Sequence, residues 1–332
     1  MVETMERTLV GRFGGPEVVE HVSHPDPAPS RGRVSVRVTH ASIGSTDVLA
    51  RRGGYLLQPR PGFAPGYDFV GVLETTTPDA AARGLAVGTR VAACLPRMGS
   101  HATSILVPPR LLVRVPAALP SEIAAALPLD AITAGLALRL ARLRPGDPLL
   151  VQGASGPVGS LITQRAVAAG HPVIGTASAA NRGTVAALGA TWLDYRDPEL
   201  VTRVHDATAG GAAAAIDHTG SNGVRAAVAS GGTVVRLSFV GRPGRERRDT
   251  FTGGLATLSR VVARPRERLV SVPAFVAARP ARARELLAGE LDRVVSGELR
   301  APAVEVVPFA DARAAHDRLD RGLAGTKLVL AM

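Results

Sequence analysis

The chain has 332 residues, of which 46% are apolar and only 3% are aromatic, so its cores must be built from Ala, Val and Leu. This length suggests two domains. The formal net charge of +11 does not by itself indicate a nucleic-acid partner, because Lys327 is the single lysine and the arginines are spread along the whole chain. No uncharged stretch is long and apolar enough to demand a membrane span. We therefore expect a globular protein with no nucleic-acid partner and no membrane segment.

Local features favour a cytoplasmic protein. Cys94 is the only cysteine, which excludes an internal disulfide and a multi-cysteine zinc site and suits a reducing compartment. The opening residues, from Met1 to Arg7, carry acidic side chains and no apolar run, so we expect no signal peptide. The densest basic cluster, at residues 242–248, includes an acidic residue and is punctuated by Gly and Pro, which is typical of a solvated loop.

The first 120 residues predict a β-rich domain. Short apolar stretches alternate with polar positions and are separated by Gly and Pro clusters. The predicted strands lie at residues 8–10, 18–19, 34–38, 67–74, 90–95 and 102–107. Residues 41–54 interrupt this alternation, and Ser45 or Thr46 could cap a short helix there.

From Ser121, itself a candidate helix cap, strands alternate with helices. This pattern is typical of a doubly wound parallel sheet. Predicted helices lie at 121–127, 132–143, 182–188, 198–208 and 223–229, and predicted strands at 191–194, 213–217 and 232–239. We expect a mobile loop at 241–254 and a sheet-edge strand from Leu269 to Phe275. The segment from Pro280 onward predicts helix, strand, helix and strand.

A strand, a glycine turn, a helix and a second strand follow one another between Pro148 and Ala177. Glycines at three-residue spacing in the turn let the chain bend, let a diphosphate approach the backbone and let the helix pack closely on the strand. The amides that open the helix would face the phosphates. A purely structural glycine turn is the alternative. The residues that we expect to contact a dinucleotide are Gly153, Ala154, Ser155, Gly156, Pro157, Val158 and Gly159.

Five short motifs occur in a fixed order. They are Gly14-Gly15-Pro16-Glu17, the stretch Pro65-Gly66-Tyr67-Asp68-Phe69-Val70-Gly71, Ala125-Ala126-Leu127-Pro128 followed by Thr133, the glycine turn, and Gly325-Thr326-Lys327-Leu328-Val329-Leu330. With these motifs the chain resembles the medium-chain dehydrogenase/reductase superfamily, specifically its zinc-free quinone oxidoreductase and enoyl reductase branch. The resemblance covers nearly the whole chain.

The resemblance implies an α/β fold of two domains. A GroES-like β-rich catalytic domain would comprise residues 1–120 and 276–332, and a Rossmann NADPH-binding domain would comprise residues 121–275. The active site would lie in the cleft between them. Members of the family commonly pair sheet-edge strands to form homodimers, which here would use the strand from Leu269 to Phe275.

The resemblance also implies that the chain binds no metal. Zinc-dependent members place Cys in the segment matching residues 41–47 and a His-Glu pair where this chain has Tyr67-Asp68. Here the first position is occupied by Ile43-Gly44, and the second lacks the imidazole. Because a catalytic zinc needs about three protein ligands, we expect no zinc and no Lewis-acid alcohol oxidation.

The end of the second strand of the βαβ unit favours NADPH. NAD-specific sites usually carry Asp or Glu there, whereas this strand ends Gly175-Thr176-Ala177-Ser178. Ser178 can hydrogen-bond a phosphate. The resemblance implies that Arg182 and Tyr195 contact the 2′-phosphate and that Thr133 lies beside the nicotinamide, although Arg182 could equally be a surface residue at a helix start. The further cofactor contacts that we expect are Thr133, Thr176, Ser178, Arg182, Tyr195 and Lys327.

The expected reaction is hydride transfer to a small-molecule quinone or α,β-unsaturated carbonyl compound. Negative charge then develops on the carbonyl oxygen and calls for a hydrogen-bond donor. The resemblance places Thr46 and Asp47 in the loop facing the nicotinamide. Tyr55 and Tyr67 are candidate donors, but both could equally be packed at the interdomain seam. His218, which follows Asp217 at a strand end, is unusual for the family and receives no role.

Two alternative functions stay open. One is a dedicated biosynthetic enoyl reductase or a cofactor-assisted cyclase, which the sequence offers no means of testing. The other is a non-catalytic NADPH-binding regulatory protein or RNA-binding protein, for which the diffuse arginine content gives slight support.

Overall fold

A computed structural model describes residues 4–28, 30–219, 223–237, 253, 259, 262–264, 266–322 and 325–332. The chain divides into two compact units, one made of Met1–Ile132 and Val272–Met332 and the other of Thr133–Ser271. The domain boundaries predicted from the sequence lie near residues 120 and 275. No helix in the described parts of the chain is long and apolar enough to cross a bilayer.

Short strands form the N-terminal part of the first unit. Val34, Val36 and Val38 are buried at every second position of one strand, whereas Arg37 between them is exposed, as the period of two requires. The elements here are β1 (Thr4–Val10), β2 (Val19–Pro25), β3 (Val34–Ile43), α1 (Ser45–Arg51), β4 (Asp68–Leu73), α2 (Pro78–Ala82), β5 (Arg90–Cys94), β6 (Ser104–Val107), β7 (Val113–Arg114) and α3 (Ser121–Ala125).

The two predicted helix caps are wrong. Gly44 occupies the N-cap position of α1, and the carboxylate of Asp47 accepts the Gly44 amide hydrogen at 2.9 Å. The Asp47 carboxylate in the first turn therefore caps the helix, in place of the predicted hydroxyl of Ser45 or Thr46. Pro120 occupies the N-cap position of α3, and the Ser121 hydroxyl instead accepts a hydrogen bond from Arg90.

The second unit is a six-stranded parallel sheet. Helix α4 (Pro128–Ala141) leads into it, and its elements are β8 (Leu149–Gln152), α5 (Pro157–Ala168), β9 (Val173–Ala177), α6 (Arg182–Ala187), β10 (Thr191–Asp194), α7 (Leu200–Ala207), β11 (Ala212–Asp217), α8 (Gly223–Ala226), β12 (Val228–Arg236) and β13 (Glu267–Leu269). The strand order is β10-β9-β8-β11-β12-β13. This order is that of doubly wound dinucleotide-binding sheets, and it confirms the predicted α/β class.

The predicted edge strand from Leu269 to Phe275 is largely wrong. The edge strand β13 ends at Leu269, and helix α9 (Val272–Ala278) follows. Pro273 lies in the first turn of that helix, where its missing amide hydrogen costs nothing. The homodimer expected through this edge stays a prediction. The arginine cluster at 242–248 and most of the predicted loop at 241–254 lie outside the described residues.

The C-terminal segment returns to the first unit. It comprises α10 (Pro280–Val295), β14 (Ala303–Pro308), α11 (Ala312–Arg321) and β15 (Thr326–Ala331), which confirms the predicted helix, strand, helix and strand. The main sheet of this unit has the order β14-β15-β3-β4-β5-β7, with β6 also paired to β3. Ile43, Phe309 and Leu328 share a buried cluster beneath β15, so the end of the chain completes the core of its beginning.

Helix α11 carries an unusual buried histidine. His316 is fully buried, and neither of its ring nitrogens has a hydrogen-bond partner among the described residues. One turn later Asp320 accepts from the buried guanidinium of Arg51 at 2.7 Å. Burial, together with the nearby His101 and Arg51, holds the pKa of His316 well below its usual range.

This burial predicts a loss of stability in mild acid. Below about pH 6.5 the unfolded chain binds a proton at His316 that the folded chain does not, so the contribution of this residue to the free energy of unfolding falls by up to ~1.4 kcal/mol per pH unit. The His316→Leu variant should lose that slope in urea titrations between pH 7 and 5. The exposed His24 provides the control, since His24→Leu should keep it. Equal slopes for the wild type and His316→Leu would contradict the prediction.

Candidate functional site

The glycine turn between β8 and α5 admits no larger residue at two of its three glycines. Gly153 has a φ of +64°, and a Cβ there would lie 2.6 Å from Cε1 of His218. A Cβ on Gly159 would lie 2.1 Å from the carbonyl oxygen of Gly153. Gly156 is less constrained, because its Cβ would approach that oxygen only to 3.3 Å. The absence of side chains at Gly153 and Gly159 therefore lets the start of α5 pack closely on the end of β8.

Several amides of the predicted phosphate site are used within the turn itself. The Ala154 amide donates to the Thr176 carbonyl at 3.0 Å, and the Ser160 amide donates to Gly156 at 2.8 Å. The buried Thr176 side chain accepts from the Gly153 amide at 3.4 Å, so it ties the turn to β9. Because α5 begins at Pro157, the amides of Val158 and Gly159 have no acceptor one turn back. Two such amides together with the helix dipole are a candidate anion site.

Beyond the end of β9 lies a cluster of hydrogen-bond donors. The Ser178 hydroxyl accepts from Asn181 at 3.2 Å, which leaves its own hydrogen to donate. The Arg182 guanidinium lies 5.3 Å from the centre of the Trp192 ring. Arg196 lies 4.9 Å from the ring centre of Tyr195, which is 50% exposed. The contact of Arg182 with Trp192 was missed by the sequence analysis, and the roles of Ser178, Arg182 and Tyr195 in binding a phosphate stay a prediction.

Lys327, which we expect to contact the cofactor, forms a buried ion pair within the first unit. Its amine is buried in the first unit and bonds the carboxylate of Asp130 at 2.9 Å. Although burial opposes the charged form, Asp130 and Asp68 raise the pKa of the lysine. The ion pair with Asp130 thus neutralises the buried charge of Lys327. Thr133, a further expected cofactor contact, is buried in α4 and is the first residue of the second unit.

Asp68 lies at the position where zinc-dependent members carry glutamate, and its surroundings favour the protonated acid. Burial raises the pKa of Asp68 to about 7. The positive charge of Lys327 opposes this rise, and the negative charge of Asp130 adds to it. The Ser42 hydroxyl donates to one carboxyl oxygen at 3.1 Å. On the paired strand, burial and Asp68 raise the pKa of the Cys94 thiol well above its usual range. Cys94 is therefore an inert thiol at neutral pH.

Metal ligands are not grouped in the part of the chain that is described. No set of three or more His, Cys, Asp or Glu side chains lies together there in a way that could hold a metal ion. The positions that matched zinc ligands carry Ile43, Gly44 and Tyr67. The expectation of zinc-independent chemistry rests on those residue identities.

Tyr55 and Tyr67 form a hydroxyl pair in the first unit. Tyr67 donates to the Tyr55 oxygen at 3.2 Å, and the two rings meet edge to face with centres 6.3 Å apart. This direction leaves the Tyr55 proton available to another acceptor. Burial raises the pKa of Tyr55 to about 12, although the bond from Tyr67 partly offsets it, and burial raises the pKa of Tyr67 further. Tyr55 is thus the better donor of the two.

Asp47 holds the backbone around this pair. Its two carboxylate oxygens accept from the amides of Gly44 and Gly66, at 2.9 and 2.8 Å. Gly66 immediately precedes Tyr67, so Asp47 fixes the tyrosine relative to α1. The buried Asp47 therefore positions its neighbours through both of its oxygens, and its predicted catalytic role stays a prediction. Thr46 is half-buried on α1 beside Asp47, and its predicted catalytic role stays a prediction.

Known families match both parts of the chain. The alcohol dehydrogenase GroES-like domain matches residues 30–117, and the zinc-binding dehydrogenase family matches residues 188–330. The chain belongs to the medium-chain dehydrogenase/reductase superfamily. Its similarity to quinone oxidoreductases and enoyl reductases places it in that branch of the superfamily.

Individual relatives show the extent of this similarity. The quinone oxidoreductase of Pseudomonas aeruginosa is 30% identical over 62% of this chain and 63% of its own length. A trans-enoyl reductase of Talaromyces variabilis is 29% identical over 65% of this chain and 63% of its own length. The alignments thus span under two thirds of these curated relatives. A mycobacterial protein solved in complex with NADPH is 26% identical, with a TM-score of 0.79 over 99% of this chain and 100% of its own.

The protonated state of Asp68 predicts a stabilising substitution. Between about pH 4 and 7 the folded chain keeps a proton on Asp68 that the unfolded chain releases, so the free energy of unfolding falls as pH rises through this window. Asp68→Asn removes this cost and should raise stability at pH 8 by on the order of 1–3 kcal/mol. Urea denaturation of both proteins at pH 8 measures this difference in the free energy of unfolding. Asp79→Asn, at an exposed acid, should change stability little, and a less stable Asp68→Asn protein would show that the ionised carboxylate stabilises the fold instead of destabilising it.

Proposed function

We propose that this protein is an NADPH-dependent, zinc-independent reductase that transfers hydride to a quinone or an α,β-unsaturated carbonyl compound. The observation that carries the proposal is the end of β9, where Ser178 and Arg182 stand in place of an acidic residue beside the glycine turn. A carboxylate there would bind ribose hydroxyls and repel a 2′-phosphate. The relatives named quinone oxidoreductase and trans-enoyl reductase, and the mycobacterial protein complexed with NADPH, support the same assignment.

The second unit offers a fitting group for each part of the cofactor that carries charge. The diphosphate would be held by the Val158 and Gly159 amides at the start of α5. The 2′-phosphate would be held by the Ser178 hydroxyl, the Arg182 guanidinium and the Tyr195 hydroxyl, since charge-assisted hydrogen bonds of this kind are the strong ones. When bound, NADPH supplies the hydride.

The first unit supplies the hydrogen-bond donor for the substrate. Reduction of an enone places negative charge on the carbonyl oxygen, and a preorganised donor at that oxygen lowers the barrier. In our proposal Tyr55 donates to this oxygen, and Tyr67 supports it by donating to the Tyr55 hydroxyl. Asp47 holds Tyr67 in place through the Gly66 amide. Because its pKa is raised, Tyr55 stays protonated across the neutral range.

The non-catalytic and RNA-binding alternatives are less well supported. Their strongest feature, the arginine cluster at 242–248, lies outside the described residues. The dedicated biosynthetic enoyl reductase is a special case of the proposed activity, and a panel of acceptors tests both together.

The activity is tested by mixing the protein with NADPH and a panel of quinones, enones and enoyl thioesters. We expect the absorbance of the reduced nicotinamide to fall with at least one acceptor. Tight NADPH binding without oxidation by any acceptor would contradict the catalytic proposal. Stoichiometric zinc in elemental analysis of the purified protein would contradict zinc independence.

The tyrosine pair predicts unequal effects of two matched substitutions. Tyr55→Phe should lower kcat by about 10²-fold or more, because it removes the donor to the substrate. Tyr67→Phe should lower kcat by about 10-fold or less, since it removes only the support for that donor. The dissociation constant of NADPH should be unchanged in both variants and serves as the folding control. Full activity of Tyr55→Phe would show that the two tyrosines are a packing pair.

A further inference from the structure

The only tryptophan of the chain lies beside the end of β9. Trp192 is half-buried on β10, and its indole Nε1 donates to the carbonyl oxygen of Ala177 at 3.2 Å. That hydrogen bond attaches the ring to the last residue of β9, immediately before Ser178. Arg182 lies over the indole ring, with its guanidinium carbon 5.3 Å from the ring centre.

The Trp192 ring is the contact that the Arg182 guanidinium makes among the residues that the structure describes. The residue is exposed at the first position of α6, and an exposed arginine loses rotamer freedom when it is immobilised on an anion. Stacking on an aromatic face restrains the guanidinium before the anion arrives and leaves the edges of its planar fork open to donate. Ser178 stands at the same end of β9, with its hydroxyl hydrogen left to donate.

We propose that Trp192 is a positioning residue for cofactor selection, which holds Arg182 where it meets the 2′-phosphate of NADPH. This inference rests on the proposed function and deepens it. NADH lacks the 2′-phosphate, so the indole contributes to the binding of NADPH and contributes nothing to that of NADH. The preference between the two cofactors therefore depends on a side chain that touches neither.

A double-mutant cycle tests the proposal. Calorimetry on Trp192→Leu, Arg182→Ala and the double variant gives the dissociation constants of NADPH and NADH. We expect Trp192→Leu to raise the NADPH constant by about 2- to 5-fold, the worth of an exposed cation–π contact, and to leave the NADH constant unchanged. Trp192→Phe, which keeps an aromatic face, should restore most of the loss. In the Arg182→Ala background Trp192→Leu should have no further effect.

The possible failures are distinguishable. Equal weakening of NADPH and NADH by Trp192→Leu would mean a structural role and overturn the inference, as would an unchanged ratio or additive effects in the cycle. A wild-type protein with equal affinity for both cofactors overturns the NADPH preference and this inference together. A wild-type protein that binds neither cofactor overturns the proposed function itself.

A second, independent observation concerns His218, which the sequence analysis left without a role. Cε1 of its ring lies 2.6 Å from the point where a Cβ on Gly153 would stand, and Nδ1 and Nε2 lie 3.2 and 3.4 Å from that point. The nitrogen-bearing edge of the imidazole therefore faces the glycine turn. His218 is nevertheless exposed, directly after the buried end of β11. A ligand at the turn can reach it.

We infer that the His218 ring, which lies over Gly153, donates a hydrogen bond to the cofactor diphosphate. His218→Phe keeps a ring over Gly153 and removes both nitrogens. It should raise the dissociation constants of NADPH and NADH by the same factor, about 3- to 10-fold for one hydrogen bond, because both cofactors carry the diphosphate. The ratio between them should stay as in the wild type.

Adenosine 2′-monophosphate provides the matched control, because it carries the 2′-phosphate and lacks the diphosphate. Its affinity should be unchanged by His218→Phe. Unchanged affinities for all three ligands would overturn the inference, and so would an equal loss for adenosine 2′-monophosphate, which would show a general disturbance of the turn.

Discussion

The close approach of Gly159 to the carbonyl of Gly153 is the constraint on which the nucleotide end of the protein depends. A Cβ at residue 159 would lie 2.1 Å from that oxygen, so α5 can begin where it does only because a hydrogen stands there. The Ala154 amide then bonds the carbonyl of Thr176, which ties the turn to β9. The positions of the open amides of α5 and of the residues after β9, which we propose bind the two phosphate groups of the cofactor, depend on this contact.

The first unit meets a different constraint, which is buried charge. Lys327, Asp130 and Asp68 lie together out of solvent, where an unpaired charge is costly. The carboxylate of Asp130 pairs with Lys327. The raised pKa of Asp68 lowers the fraction of that acid that is ionised near neutral pH. Zinc-dependent members of the superfamily have a metal ligand beside this position, where this chain has Tyr67. The proposed chemistry thus moves from a metal to the hydroxyl of Tyr55, which Tyr67 supports.

Local pattern was sufficient for much of the fold, and contacts distant in sequence account for the rest. The strand at Thr191–Asp194 was predicted at its observed bounds, and the glycine turn was found from spacing alone. The prediction of an edge strand was wrong because a helix, with Pro273 in its first turn, lies where the apolar residues had suggested a strand. Lys327 could not be placed from sequence, since its partner Asp130 lies 197 residues away. The stacking of Arg182 on Trp192 joins the start of α6 to β10, and the pattern of neither element indicates that contact.

The measurement that tests this account most directly is a crystal structure of the protein with NADPH. The account predicts a diphosphate at the amides of Val158 and Gly159, with the 2′-phosphate bonded by Ser178 and Arg182 while the guanidinium remains on the Trp192 ring. A 2′-phosphate turned into solvent, or a diphosphate bound away from the start of α5, would contradict it.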